Sequence, residues 1–306
     1  MTEEQLYDAI EQLEKEKKYL LNSKKYKLGN FLVNNLLLLK KIRIYKFFQN
    51  IKGHILKKRI LKKYCNHSSF KQKINNINYN KKKIAVYTCI LGNYDNINIP
   101  LVKFNNVDYF LITDKKEKFE EYFGVYNIIE LKEDTLSKGN IIANRYAKFH
   151  PYDFFRKYDY AIYFDGNVRI VSDIRKYITN ILNKTGIAMY IHRERNDIYD
   201  EAKVCKLLKR GISKNIDKQM KKYTDEGFPK KYGMNEATII VSDLKNMTSR
   251  VLLDAWFKEF LNSKSFRDQL AWPYVLWKNN FKIEDVGVLG NNIYEDNKIE
   301  ILKHNG

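Results

Sequence analysis

The stretch YDYAIYFDGNV, residues 158–168, decides how the rest of the chain is read. Tyr160 to Phe164 is an unbroken apolar and aromatic run of strand length. A run without polar alternation fits a strand covered on both faces. It stops at Asp165-Gly166-Asn167. A carboxylate at the tip of a buried strand, beside a glycine that allows close backbone approach, suits an oxygen-bound divalent ion bridging two phosphates. The same three residues also read as a plain turn, with Asp165 capping it and Gly166 at a positive φ. The triplet alone leaves both readings open.

Working outward, comparable runs occur on both sides. IAVYTCI (84–90) is closed by LGNYD, and DYFLITD (108–114) and YNIIEL (126–131) follow. Downstream lie GIAMYIH (186–192), ATIIVSDL (237–244) and KIEDVGV (282–288). Helical patterns separate them over 138–155 and 173–183, with two helices over about 197–226 and two more over about 246–280. Apolar strands alternating with helices predict an α/β domain whose mostly parallel sheet is flanked by helices. In such sheets the ligand lies beyond the carboxyl ends of the strands. That rule selects Gly92 to Asp95, Thr113-Asp114, Asp165 to Asn167 and His192 to Arg195.

The formal charge of +20 over 306 residues is uneven. Residues 1–83 carry 21 Lys+Arg and 6 Asp+Glu, a net of +15, and no acid occurs from Lys17 to Tyr94. The chain therefore divides into a basic helical appendage (1–74), a polar linker NNINYNKKK (75–83) and a nearly balanced body (84–306). In the appendage Leu6, Ile10, Leu13 and Leu20 fit a short heptad, which permits a homodimer. Leu28, Phe31, Leu32, Leu36, Leu39, Ile42, Phe47 and Ile51 give an apolar side opposite Lys40, Lys41, Arg43 and Lys46. That pattern fits either a solvated helical hairpin or a helix on an anionic membrane surface, with residues 17–74 as the contact. Nucleic acid is disfavoured, because aromatic and glycine-rich RNA-reading motifs are absent. Three scattered cysteines form neither a zinc pattern nor a disulfide framework, which fits a reducing, cytoplasmic setting. The polar N-terminus is not a secretory signal.

In the body, Arg145 and Lys148 fall on one helix face, where a diphosphate or a ribose fits as well as solvent does. His192, Arg193 and Arg195 are clustered donors after a strand, for an anion or a sugar, or simply a basic loop. Glu236 precedes a strand and suits a sugar hydroxyl or a general base, and reads equally as a solvated loop acid. Asp268 and Gln269 open the aromatic helix FRDQLAWPYVLW, where Asp268 contacts a sugar or merely caps the helix.

The ordered series IAVYTCILGNYDNI, FLITD, NRYAKFHP, YAIYFDGN, HRERNDIYDEA, KQMKKYTDEGFPKKYGMNEATIIV and FRDQLAWPYVLW resembles a glycosyltransferase-like family. That family includes plant pectin and mucilage glycosyltransferases and bacterial members from surface-polysaccharide clusters. The resemblance covers about residues 84–281. It implies a GT-A fold, a Rossmann-like nucleotide-sugar domain. It further implies transfer from a nucleoside diphosphate sugar, a UDP-sugar foremost, to a bacterial surface glycan such as capsule or lipopolysaccharide. The enzyme would then work peripherally on the inner face of the cytoplasmic membrane. Thr88, Asn93, Tyr94, Asp95 and Asp114 would hold the nucleoside, and Arg145 and Lys148 the diphosphate. By that resemblance Asp165 and Asn167, with Gly166 between them, would sit at the DxD-like position for Mn2+ or Mg2+. Asn replaces the second acid there, which weakens the metal site. Glu236 and Asp268 are the candidates for sugar contact or base, with Gln269, His192, Arg193 and Arg195 around the donor. The α-linked products of the plant members favour a retaining over an inverting reaction. A non-catalytic nucleotide-sugar-binding scaffold and a nucleic-acid-binding basic arm are the alternatives from other classes.

Overall fold

A computed structural model describes residues 3–30, 33, 58, 61–65, 69–115 and 124–304. Most of the amphipathic basic stretch over 28–51 therefore lies outside the described residues, as does the Leu6 side chain. The chain forms two compact units, Met1–Cys65 and Asn66–Gly306. In the first, α1 (Glu3–Asn22) is helical, with Leu13 and Leu20 exposed. Among the described residues no helix is long and apolar enough to cross a membrane.

The second unit is built on a seven-stranded sheet. Its strands are β1 (Ile84–Ile90), β2 (Val107–Thr113), β3 (Asn127–Glu130), β4 (Tyr160–Phe164), β6 (Ile187–Ile191), β7 (Asn235–Asp243) and β8 (Gly287–Val288), in the spatial order β3-β2-β1-β4-β7-β6-β8. Every residue of β1, β4 and β6 is buried, as the unbroken apolar runs predict. The pairs β1–β2, β1–β4, β2–β3 and β6–β8 are parallel, whereas β7 runs antiparallel to both β4 and β6. The reversal brings the start of β7 to the edge where β1, β4 and β6 end. There Ile191 pairs with Asn235 and Tyr190 with Glu236.

One face is covered by α2 (Asn140–Phe149), α5 (Met247–Ser263) and α6 (Asp268–Lys278). Phe149, Trp256 and Trp272 stack in series there, with ring centroids 4.3 and 4.5 Å apart. The opposite side of α6 packs on α3 (Ile198–Leu207) and α4 (Ser213–Asp225), where Tyr274 lies flat on Tyr223 at 3.8 Å. All residues of α6 from Asp268 to Leu276 are consequently buried, as a helix apolar on all sides requires.

Three expectations change. The helix over 173–183 is a short 3-10 segment, Arg175–Asn180. The Thr179 and Ile181 carbonyls accept from Asn75 instead of continuing a helix. By the same contacts the presumed linker over 75–83 is strapped to the second unit, and Asn106 Nδ2 donates to the Tyr79 and Lys82 carbonyls at 2.7 and 2.9 Å. Of KIEDVGV, residues Ile283–Asp285 form a 3-10 turn and only Gly287–Val288 is strand. A small sheet had no clear sequence signal: β5 (Val168–Ile170) pairs antiparallel with β9 (Ile299–Ile301) and returns the C-terminal segment to Asn167.

Gly287 is needed for close packing rather than for its φ. A Cβ there would strike the Asn180 carbonyl oxygen and lie 2.9 Å from Ala188 Cβ. Gly287→Ala is therefore expected to destabilise the protein by about 1–3 kcal/mol. An unchanged thermal midpoint would count against this packing.

Candidate active site

Strand β4 delivers Asp165 to the carboxyl edge, and a tight turn follows, with Val168 N donating to the Asp165 carbonyl at 3.0 Å. Gly166 is not among the positive-φ residues, so that part of the plain-turn reading fails. Its missing side chain makes room instead: a Cβ would sit 2.9 Å from Asp95 Oδ2 and 3.1 Å from Ile90 Cγ1. Asn167 is buried, and its Nδ2 donates to the Leu302 carbonyl at 2.9 Å. That bond, with β9, carries the C-terminal segment to the loop after β1. There His304 Nδ1 lies 3.0 Å from each Asp95 carboxylate oxygen, and the Tyr94 ring is 5.5 Å from the His304 ring.

A cavity of about 440 Å³ opens at this edge. Its lining includes Tyr94, Asp95, Asn144, Arg145, Asp165 and Arg267. This is ordinary for a small-molecule site. Arg145 and Lys148, three apart on α2, turn to the same place, as their spacing predicts. Arg145 Nε is 2.8 Å from Asp268 Oδ2. Lys148 Nζ is 3.4 Å from Asp268 Oδ2 and 3.2 Å from Asp165 Oδ1, and it lies 5.0 Å from the Tyr163 ring centre. The Lys148 side chain is 2% exposed and that of Asp268 6%. Burial pushes the Asp268 carboxyl up, but Arg145, Lys148 and Arg267 outweigh it and hold the group well below the usual carboxylate range. Cys89, in the same wall, is pushed far up by burial and stays a thiol.

Beside this group lies a second one. His192 Nδ1 accepts from the backbone N–H groups of Glu194 and Arg195 at 3.2 and 3.0 Å. The ring proton therefore sits on Nε2, 3.7 Å from Glu201 Oε2 and 4.0 Å from Glu236 Oε2. Gln269 Nε2 donates to the Asn235 carbonyl at 3.0 Å and reaches Glu236 Oε1 at 3.5 Å. Arg195 is buried and committed to Glu201 and Glu194. Arg193 is half exposed and stacks on Tyr294 at 4.1 Å. Burial raises the Glu201 carboxyl, and His192, Arg195 and Arg267 more than reverse it.

The remaining expected residues are divided. Asp114 supports the loop after β1 by accepting from Gly92 N at 3.4 Å. Asn93 takes a left-handed turn at φ +60° and Thr88 is buried in β1; neither lines the cavity. Sequence reasoning missed Asn144, Arg267, His304 and Glu201. Arg267 adjoins Asp268 and was within reach of the motif, whereas His304 becomes visible only through β9.

The expected Mn2+ or Mg2+ can be tested against these donors. Among the described residues no three His, Cys, Asp or Glu side chains are grouped to hold an ion. Asp165 Oδ1 faces the Lys148 ammonium, the Asn167 amide nitrogen faces Leu302, and Asp95 faces His304. As arranged here, these donors are committed to partners within the chain rather than turned toward an ion.

The family model described as TOD1/MUCI70, glycosyltransferase-like domain, matches residues 53–302. No curated protein matches the chain. Among solved structures, the bifunctional glycosyltransferase WbbM is similar at 15% identity and a TM-score of 0.44, over 68% of this chain and 39% of that one. Mouse xyloside xylosyltransferase 1 is 10% identical with a TM-score of 0.42, over 67% and 84%. The galactosyltransferase LgtC, solved with donor and acceptor sugar analogues, is 12% identical with a TM-score of 0.42, over 67% and 72%. The chain thus spans well under half the length of WbbM.

Asp268 offers a direct test of the network. Asp268→Asn leaves Arg145 and Lys148 short of one buried negative charge, a change that costs about 3–5 kcal/mol. Because the folded carboxyl is depressed, its contribution is complete above the ordinary value of 3.8 and drains away as pH falls toward the folded value. Denaturant unfolding should show that gap at pH 7 and a narrowing gap in acid. A gap below about 1 kcal/mol at pH 7 would contradict the network.

Proposed function

Starting from the TOD1/MUCI70 glycosyltransferase-like family, to which the chain belongs, we propose that it transfers a sugar from a nucleoside diphosphate sugar to a glycan acceptor. One observation carries this reading. A cavity at the carboxyl edge of the sheet is walled by Arg145, Arg267 and Asp165, and a second polar group with Glu236 stands beside it, joined through Asp268-Gln269. Cations face the diphosphate and carboxylates face sugar hydroxyls, which is the division that glycosyl transfer needs.

In this reading the nucleoside rests against the loop from Gly92 to Asp95. The guanidinium groups of Arg145 and Arg267 hold the diphosphate. Asp165 orients the donor sugar. The acceptor hydroxyl forms a bond to the anomeric carbon while the bond from that carbon to the phosphate oxygen breaks, and the nucleoside diphosphate leaves. The hydroxyl proton passes to Glu236 in an inverting reaction, or to the departing phosphate in a retaining one. His192 and Gln269 steady Glu236 in either case. The UDP specificity, the surface-glycan acceptor and attachment to an anionic membrane through residues 17–74 extend the proposal. They rest on the family resemblance and the appendage charge.

The test uses the purified full chain with UDP-, GDP- and TDP-sugars, reading nucleoside diphosphate release and acceptor-dependent product. Asp165→Ala is expected to lower kcat/KM by at least 100-fold, about 2.7 kcal/mol of barrier. Binding of a donor without turnover supports the scaffold alternative. The absence of both binding and hydrolysis for every donor tested sinks the proposal.

A further inference from the structure

We infer that the charge of the nucleoside diphosphate is offset by side chains of this chain, Arg145 and Arg267 backed by the buried Lys148, and that no divalent ion is required. The inference rests on the glycosyltransferase reading above and specifies how its site handles charge.

The carboxylate best placed for a metal is Asp165, and its Oδ1 is taken by Lys148 Nζ at 3.2 Å. Lys148 is almost wholly buried, so it depends on its two carboxylates. Turning Asp165 toward an ion would leave the ammonium with Asp268 alone, and Asp268 already pairs with Arg145 at 2.8 Å. The second position of the triplet carries no charge, because Asn167 replaces an acid, and its amide nitrogen holds the C-terminal segment. A second acid of the cavity, Asp95, is engaged on both oxygens by His304.

The same groups suit an anion. Three cations, Arg145, Lys148 and Arg267, act on Asp268 from separate positions, and two of them, Arg145 and Arg267, line the cavity. Lys148 does not line it. Its ammonium offsets Asp165 and Asp268, so that their charge does not repel a diphosphate. Lys148 is thus a positioning residue, and the two arginines are the groups that meet the phosphates. Guanidinium forks match phosphate oxygens in pairs, which an ammonium does not.

The experiment is calorimetric titration of UDP, and of GDP and TDP in parallel, into the full chain with EDTA and then with Mn2+ or Mg2+. Donor-sugar turnover is followed under the same conditions. The expected result is a nucleoside diphosphate affinity equal within about twofold in chelator and in metal, with turnover retained in EDTA. Lys148→Met should weaken binding in EDTA at least tenfold, while Lys148→Arg keeps it within about threefold. Binding or turnover that appears only with a divalent ion, or rises tenfold with one, overturns the inference and leaves the glycosyltransferase reading standing. Unaltered affinity in Lys148→Met overturns the role given to Lys148. Failure of all three nucleotides to bind under every condition removes both readings. Should the Met variant not fold, the wild-type comparison between EDTA and metal decides alone.

Discussion

A lysine ammonium with almost no solvent contact has to be matched by negative charge within ion-pair reach, and the candidate site is organised around that requirement. Lys148 comes from α2, Asp165 from the end of β4 and Asp268 from the first residue of α6. Meeting the requirement ties three elements together at one point. It also draws Arg145 into the same cluster, because Asp268 Oδ2 is shared between the two cations. Pairs of this kind contribute little net stability relative to an apolar core, but removing one partner is costly. Their value here lies in fixing positions. The guanidinium of Arg145 and the carboxylate of Asp165 are both held by groups that cannot move without exposing or orphaning the ammonium.

The sheet supplies the second constraint. Parallel strands deliver their carboxyl ends to one edge, and a purely parallel sheet would have sent Asn235 and Glu236 to the other. Strand β7 is antiparallel within it, so its beginning stands next to the end of β6. Glu236 thereby meets His192 and Gln269. Helix α6 then serves both groups: Asp268 faces the cations, and its neighbour Gln269 faces Glu236. The helix can do so because it is buried on every side by the tryptophan stack and by the layer of α3 and α4.

Much of this was legible in the chain. The strands β1, β4 and β6 announced themselves by unbroken apolar runs, and residues after β1 and β4, though not those after β6, line the cavity. The spacing of Arg145 and Lys148 correctly put both on one helix face. The ordered motifs resembled the family that the chain belongs to. What failed to read was mostly contact between distant segments. The run over 173–183 looks helical by composition, yet its carbonyls are claimed by Asn75. Arg195 looks like a free donor, yet Glu201 and Glu194 consume it. Gly166 looks like a turn glycine, yet it is there because Asp95 lies against it.

The sequence by itself determined which segments are buried, since burial follows from local apolar pattern and strand or helix period, and it determined which residue types stand at the strand ends. Only the tertiary structure decided which of those residues pair. Asp165, Lys148, Asp268 and Arg145 are up to 123 residues apart and meet because three elements pack at one edge. His304 reaches Asp95 across 209 residues because β9 pairs with β5. Electrostatic pairing falls off over a few ångströms, and no local pattern in the chain encodes distances between segments that only packing brings together.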